Sequence, residues 1–382
     1  MYKKFFMGIA AMAALTLVSC SSDDLNSLSD NSSKNEAISF DGYLGRSAVA
    51  VNGSRGSVLD LNALKGTDSD KKGFGVFGYY NSSVTDHGSA PEQSFDANLF
   101  NNEQVTCLNG AADWSYTPLK YWPAQGHIDF YAYAPFETGK TLNKKTSATS
   151  TTTTPTFNFT VVNKVADQTD LLWANAENKT KEKNSSPNKV KFQFAHALSK
   201  LGYTVKLNKA VSESEATITL KNITLAGSSD GTSKKAFYKD GTINLAKATD
   251  ATDATGLWKA VTSDDNKQNF NWSSSNKTLN NAVSDAEIKN PDNEYLFVIP
   301  QDFSAGNANN DELYVIVEYT IEYKSGSAKP TVSYNVSKQL KNNFLQGKAY
   351  TINLTIGLTP IEFDADVTTW ENGATIPNIS WE

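Results

Sequence analysis

The chain has 382 residues, with 35 Lys and Arg against 41 Asp and Glu for a net charge of −6, and it is 39% apolar and 20% charged. These proportions belong to a folded protein and exclude wholesale disorder, a collagen-like rod and a multi-span membrane protein. The acidic balance argues against a nucleic-acid partner, whose footprint would be a basic stripe, and the length predicts two domains rather than one.

Residues 1–19 read as a signal peptide. Lys3 and Lys4 precede an apolar stretch, residues 5–18, that is too short to span a bilayer, and Leu17-Val18-Ser19-Cys20 closes it as a bacterial lipobox would. Cys20 is therefore the expected lipidation site, holding the mature chain to a membrane by burying acyl methylenes. The alternative is an ordinary cleaved signal with an incidental cysteine. Cys107 is the one other cysteine, so no intrachain disulfide is expected and packing must supply the stability. Residues 20–36 are polar and low in aromatics, as a flexible tether would be.

From residue 37 onward the pattern predicts strands. Runs rich in Val, Ile, Thr, Tyr and Phe recur between clusters of Gly, Asn, Asp and Ser, and no long segment keeps helical spacing. A first strand is expected at 37–44, followed by Phe74–Tyr80, His127–Tyr133, Thr156–Val161, Lys189–Phe194, Gly202–Leu207, Ala216–Leu225, Tyr295–Ile299, Leu313–Tyr323 and Tyr350–Ile356. In Leu313–Tyr323 every odd position is apolar or aromatic, while Glu318, Thr320 and Glu322 fall between, which predicts one buried and one wetted face of an antiparallel sandwich. The polar segment 175–189 is the expected domain boundary, giving 37–188 and 189–382.

Motifs that could carry chemistry fail in context. Gly73-Phe74-Gly75-Val76-Phe77-Gly78 fits G-x-G-x-x-G, but a polar loop precedes it and no helix follows, so a glycine-rich strand is the better reading. Gly227-Ser228-Ser229-Asp230-Gly231 fits G-x-S-x-G without the helix that a nucleophile elbow needs, and predicts a hairpin loop. His87, His127 and His196 share no ligand spacing. Asp364 and Asp366 share a strand face, as solvated acids commonly do. No catalytic residue, cofactor site or metal site is expected. The arginines say more: there are only two, Arg46 and Arg55, both just after the expected first strand. An Arg-specific protease would find no target elsewhere in the chain.

Several segments taken in order resemble the fimbrillin family of Bacteroidetes, the lipoprotein-precursor subunits of type V pili. They are the lipobox at Cys20, Ile38-Ser39-Phe40 leading to Arg46, Phe74–Tyr79, Lys120-Tyr121-Trp122-Pro123 with Ile128–Pro135, Asp170–Ala174, Phe194–Lys200, Val298–Gln301, Gly347–Leu354 and Val367–Trp370. Ser22-Asp23-Asp24 is also similar to the acidic signal that directs such lipoproteins to the outer face of the outer membrane.

The resemblance implies an all-β protein of two tandem transthyretin-like β-sandwich domains. It implies maturation by a cut after an arginine, here between Arg46 and Ser47 with Arg55 the less favoured site, which removes the first strand, 37–46. A donor strand in the tail 364–382 would then fill the vacated groove of another subunit, with Ala374, Ile376, Ile379 and Trp381 as the inserting side chains and Pro377 interrupting their alternation. The partners implied are other pilus subunits joined head to tail, the outer membrane through the lipid before processing, and a surface receptor. The rival reading is a surface glycan-binding lipoprotein, prompted by seven Trp and sixteen Tyr.

Overall fold

The computed structural model describes residues 36–44, 64–65, 72–82, 99–107, 113–142, 155–181, 189–207, 212, 214–247, 256–260, 263–273, 276–279, 288–290, 294–324, 329–357 and 362–369. Within them the chain is almost entirely β. The first half carries β1 (Phe40–Leu44), β2 (Phe74–Asn81), β3 (Phe100–Val105), β4 (His127–Ala134), β5 (Thr156–Thr160), β6 (Leu172–Lys179) and β7 (Val190–His196). Then come β8 (Ser199–Leu207), β9 (Ala216–Ala226), β10 (Phe237–Tyr238), β11 (Asp240–Asn244), β12 (Trp258–Ala260), β13 (Lys267–Gln268), β14 (Phe270–Ser273), β15 (Lys277–Leu279) and β16 (Ile288–Lys289). The last part holds β17 (Leu296–Val298), β18 (Gln301–Asp302), β19 (Tyr314–Tyr323), β20 (Thr331–Gln339), β21 (Asn343–Phe344), β22 (Lys348–Ile356) and β23 (Glu362–Thr369). Each strand expected from the sequence has a counterpart here, displaced by a few residues at most at either end.

A six-stranded sheet runs β1-β7-β6-β4-β2-β3. Its central strand β4 is buried at all eight positions because both faces are covered. Ile128, Phe130, Ala132 and Ala134 enter a core with Ile38, Phe40, Phe74, Phe100, Trp114, Trp122 and Phe192. Tyr131 and Tyr133 enter the other core, shared with Phe77, Phe157, Trp173 and most of the second half. In that second half the orders are β14-β9-β19-β20, with β15 also on β9, and β16-β8-β22-β23, with β17 also on β8. Tyr203 of β8 meets Trp272 of β14 edge to face at 5.0 Å, so the inner faces of these two sheets pack together as a sandwich does.

The halves are interleaved. β7 lies past the expected boundary at residue 188 yet joins β6 and β1, and β5 pairs with β11, which in turn pairs with β12. The described residues fall within one compact unit. Two ladders, β1 with β7 and β8 with β22, are parallel, although the pattern suggested antiparallel sheets throughout. Alternation records which face is buried, not the direction of the neighbouring strand.

The glycine motif is explained by steric fit. A Cβ on Gly75 would lie 2.4 Å from the Tyr133 ring, and one on Gly78 2.8 Å from the Phe100 ring. The G-x-S-x-G segment is a loop joining β9 to β10, which lie in different sheets, so it is not the expected hairpin. Asn269 organises it: its Oδ1 accepts from the N–H of Ala236 at 2.9 Å, and its Nδ2 donates to the carbonyls of Gly231 and Lys234 at 3.1 and 3.0 Å.

Candidate functional site

The segment from Glu36 to Leu44 is short, yet it is tied to two parts of the fold. Alternation sends Ile38 and Phe40 inward, each 1% exposed, and leaves Ser39 half-buried between them. The backbone first bonds toward residues 120–122: the Ile38 N–H donates to the Lys120 carbonyl at 2.8 Å and the Trp122 N–H to the Glu36 carbonyl at 2.9 Å. At Ser39 the segment changes partner. Its carbonyl accepts from the Val190 N–H at 2.9 Å, and β1 then runs parallel to β7, with Phe40 opposite Val190 and Leu44 opposite Phe194.

Phe40 is the principal anchor. Its ring is surrounded by Phe100 at 5.4 Å, Tyr116 at 5.5 Å, Phe130 at 5.4 Å and Phe192 at 5.6 Å between centroids. Burying such a ring contributes about 1.5–3 kcal/mol, and each well-placed aromatic pair about 0.5–1.5 kcal/mol more. The Tyr116 hydroxyl donates to the Ile38 carbonyl at 2.8 Å, so one side chain both lines the pocket and fixes the strand's backbone. Burial pushes the Tyr116 phenol up to about 12.

Past Phe40 the hold loosens. Asp41 and Gly42 are half-buried and Tyr43 is 46% exposed. β1 is the terminal strand of its sheet, so withdrawing it would bare the backbone N–H and C=O groups of β7 together with the Phe40 pocket.

Arg46, Ser47 and Arg55 lie outside the described residues, as do Cys20, Ala374, Ile376, Ile379 and Trp381. Arg46 follows the described strand by two positions. The beginning of the expected donor tail is described: residues 364–369 belong to β23, which pairs antiparallel with β22, Asp364 opposite Asn353 and Thr369 opposite Lys348. Asp364 and Asp366 thus stand opposite Asn353 and Thr351 in a ladder.

Sequence reasoning missed three parts of this arrangement: the docking of the first segment on residues 120–122, the role of Tyr116, and a buried polar network in the second half. In that network Asp311 accepts from Lys267 at 2.7 Å, from the Tyr238 hydroxyl at 2.8 Å and from Gln301 at 2.7 Å. None of these partners shares a sequence spacing that would reveal it. His196 and Asp170 form a buried pair at 2.9 Å that ties the end of β7 to the approach to β6. Among the described tryptophans, Trp114, Trp122, Trp173 and Trp272 are buried, and the half-buried Trp258 donates to the Ala197 carbonyl at 2.6 Å. These rings serve packing rather than an open sugar platform. Among the described residues no group of three or more His, Cys, Asp and Glu is placed to hold a metal ion.

A model of the fimbrillin-like family matches residues 63–370. In fold the chain is similar to a fimbrial protein from Bacteroides vulgatus ATCC 8482, at 20% identity over 88% of this chain and 100% of that one, with a TM-score of 0.59. A more distant likeness is to the fimbrial anchor protein Mfa2 from Porphyromonas gingivalis, at 11% identity over 89% of this chain and 98% of that one, with a TM-score of 0.33. No curated protein matches the chain.

Proposed function

Since this chain belongs to the fimbrillin-like family, we propose that it is a structural or adhesive subunit of a cell-surface fimbrium, exported as a lipoprotein through Cys20 and assembled by strand exchange. The observation that carries this reading is the first strand. It closes an edge of the six-stranded sheet, it is anchored by Ile38 and Phe40, and a rare arginine follows it at once.

Cleavage between Arg46 and Ser47 cuts the covalent link between that strand and the body, so its hold becomes a reversible binding equilibrium. The vacated edge then accepts a strand by β-augmentation, with backbone bonds supplying affinity and the Phe40 pocket supplying selectivity. A donor from the next subunit makes a head-to-tail contact, which grows into a filament rather than a closed ring. Lipidation at Cys20 places the precursor at the outer membrane, and the cut frees the body from that anchor.

The test is the N-terminal residue and intact mass of the protein recovered from the surface of native cells. A chain beginning at Ser47 within high-mass assemblies is the expected result. A chain still acylated at Cys20 and monomeric would overturn processing and assembly together, and would favour a surface-anchored glycan-binding lipoprotein.

A further inference from the structure

β20 ends the sheet β14-β9-β19-β20, and among the described residues no strand pairs with its outer edge. Edges are ordinarily blunted by charge, irregularity or shortness, because a row of open N–H and C=O groups pairs with any strand that reaches it. Several other terminal strands follow that rule: the ladders of β3 and β14 have register irregularities, β23 carries Glu362, Asp364 and Asp366, and β12 and β16 are three and two residues long. β20 does not. It runs nine residues in unbroken register with β19, and from Thr331 to Ser337 it holds no charge and no proline.

The inward side of this strand is only partly covered. Val332, Tyr334 and Val336 stand opposite Ile321, Tyr319 and Val317 of β19. Those three are buried, whereas Val332 is 37% exposed and Tyr334 and Val336 are half-buried. The Tyr334 ring stacks on that of Tyr319, 5.0 Å between centroids and 12° between planes. β19 and β20 thus present three side-by-side rows on this face, aliphatic, tyrosine and aliphatic, each of which stops at β20.

The geometry points to a second copy of this chain as the partner of that edge, the two β20 strands running antiparallel about a two-fold axis at Tyr334. Val332 and Val336 flank Tyr334 at equal distance, so the strand is complementary to itself. In this register Val332 faces the second copy's Val336, Tyr334 faces its own counterpart, and Thr331 and Ser333 face Ser337 and Asn335. Each row then continues across the axis, and the Tyr319–Tyr334 pairs join into a run of four rings. Moving the axis to Asn335 would set Lys338 against Val332, and moving it to Ser333 would set Pro330 against Val336. An axis between two residues would turn apolar side chains against polar ones. The contact is isologous and closes at two. It joins subunits sideways and uses a different sheet from the head-to-tail exchange proposed above, so it does not depend on that exchange.

The experiment uses the full chain uncut at Arg46, so that strand release cannot contribute, with Cys20→Ser leaving the buried Cys107 as its one native thiol. Sedimentation over a range of concentrations should show reversible dimers. Ser333→Lys with Asn335→Lys sets like charges against each other across the axis and should weaken association about tenfold or more. Ser333→Lys with Asn335→Glu sets opposite charges there and should retain it. Both positions are exposed, so these substitutions leave the core as it is. A mixture of Ser333→Cys and Asn335→Cys proteins should form a disulfide-linked dimer, whereas a mixture of Thr331→Cys and Ser333→Cys proteins should not. A parent protein that stays monomeric at millimolar concentration overturns the inference, as do dimers indifferent to the paired lysines or linked equally in both mixtures. None of these outcomes bears on strand exchange.

Discussion

The rings of Phe40 and Phe192 lie nearly parallel, 5.6 Å between centroids and 20° between planes, across the parallel ladder of β1 and β7. Phe192 in turn contacts Phe74 and Phe194. The first strand is thus seated against a row of aromatic side chains from the rest of the fold.

Phe40→Ala should loosen the first strand selectively. Truncating a buried Phe costs about 3–5 kcal/mol, but a terminal strand can detach without melting the rest. Amide exchange across residues 36–44 should accelerate more than tenfold, with faster cutting after Arg46, while the main unfolding transition moves little. Exchange by mass spectrometry checks this, and unchanged protection of 36–44 would refute it.

Alkali should weaken the fold. Burial pushes Tyr116 and Tyr350 up to about 12, and Tyr131, Tyr133 and Tyr238 are also raised, chiefly by burial. With folded values above the unfolded one near 10, their stabilisation is complete below about pH 10 and drains away as pH rises toward 12. Ionised Tyr116 also loses the O–H that it gives to Ile38. Melting curves read with tyrosinate absorbance from pH 8 to 12 should fall together, and Tyr116→Phe should weaken the first strand already at neutral pH.

Asp311→Ala should cost about 3–5 kcal/mol, because it removes the buried partner of the Lys267 ammonium and the acceptor of the Tyr238 hydroxyl, leaving Lys267 only the exposed Asp264. Burial disfavours the Lys267 charge, but its bonds to Asp311 and Asp264 prevail and its pKa is raised. The double replacement Lys267→Met with Asp311→Leu should recover much of the loss. Urea titrations of the three proteins check this, and an Asp311→Ala protein as stable as the parent would refute it.

Gly75→Ala should destabilise by about 1–3 kcal/mol, as overpacked sites do, because the new methyl collides with the Tyr133 ring. Added dinucleotide should leave the melting temperature of the parent unmoved. A ligand-dependent shift would revive the cofactor reading of this motif.

What the sequence revealed was local. The alternation of Leu313, Val315, Val317, Tyr319 and Ile321 matches their burial in and beside β19, and the expected first strand at 37–44 contains β1. What stayed hidden was long-range. Nothing in Thr156–Thr160 names Asp240–Asn244 as its partner, because a ladder is built from backbone groups that every residue shares. The same holds for the turn of residues 36–44 from 120–122 to β7. The Lys267–Asp311 contact was invisible because an ion pair between distant segments leaves no spacing to read.

The seating of β1 on β7 also has a meaning in time. Tyr43 and its partner Gln193 stand 150 positions apart, so during synthesis the first strand emerges long before the strand it will pair with. Bringing segments so far apart together costs loop entropy before their contacts can offset it. The first strand therefore depends for its ladder on a partner made much later. A strand at the end of its sheet can leave without breaking the other ladders, which is the property that the proposed exchange requires.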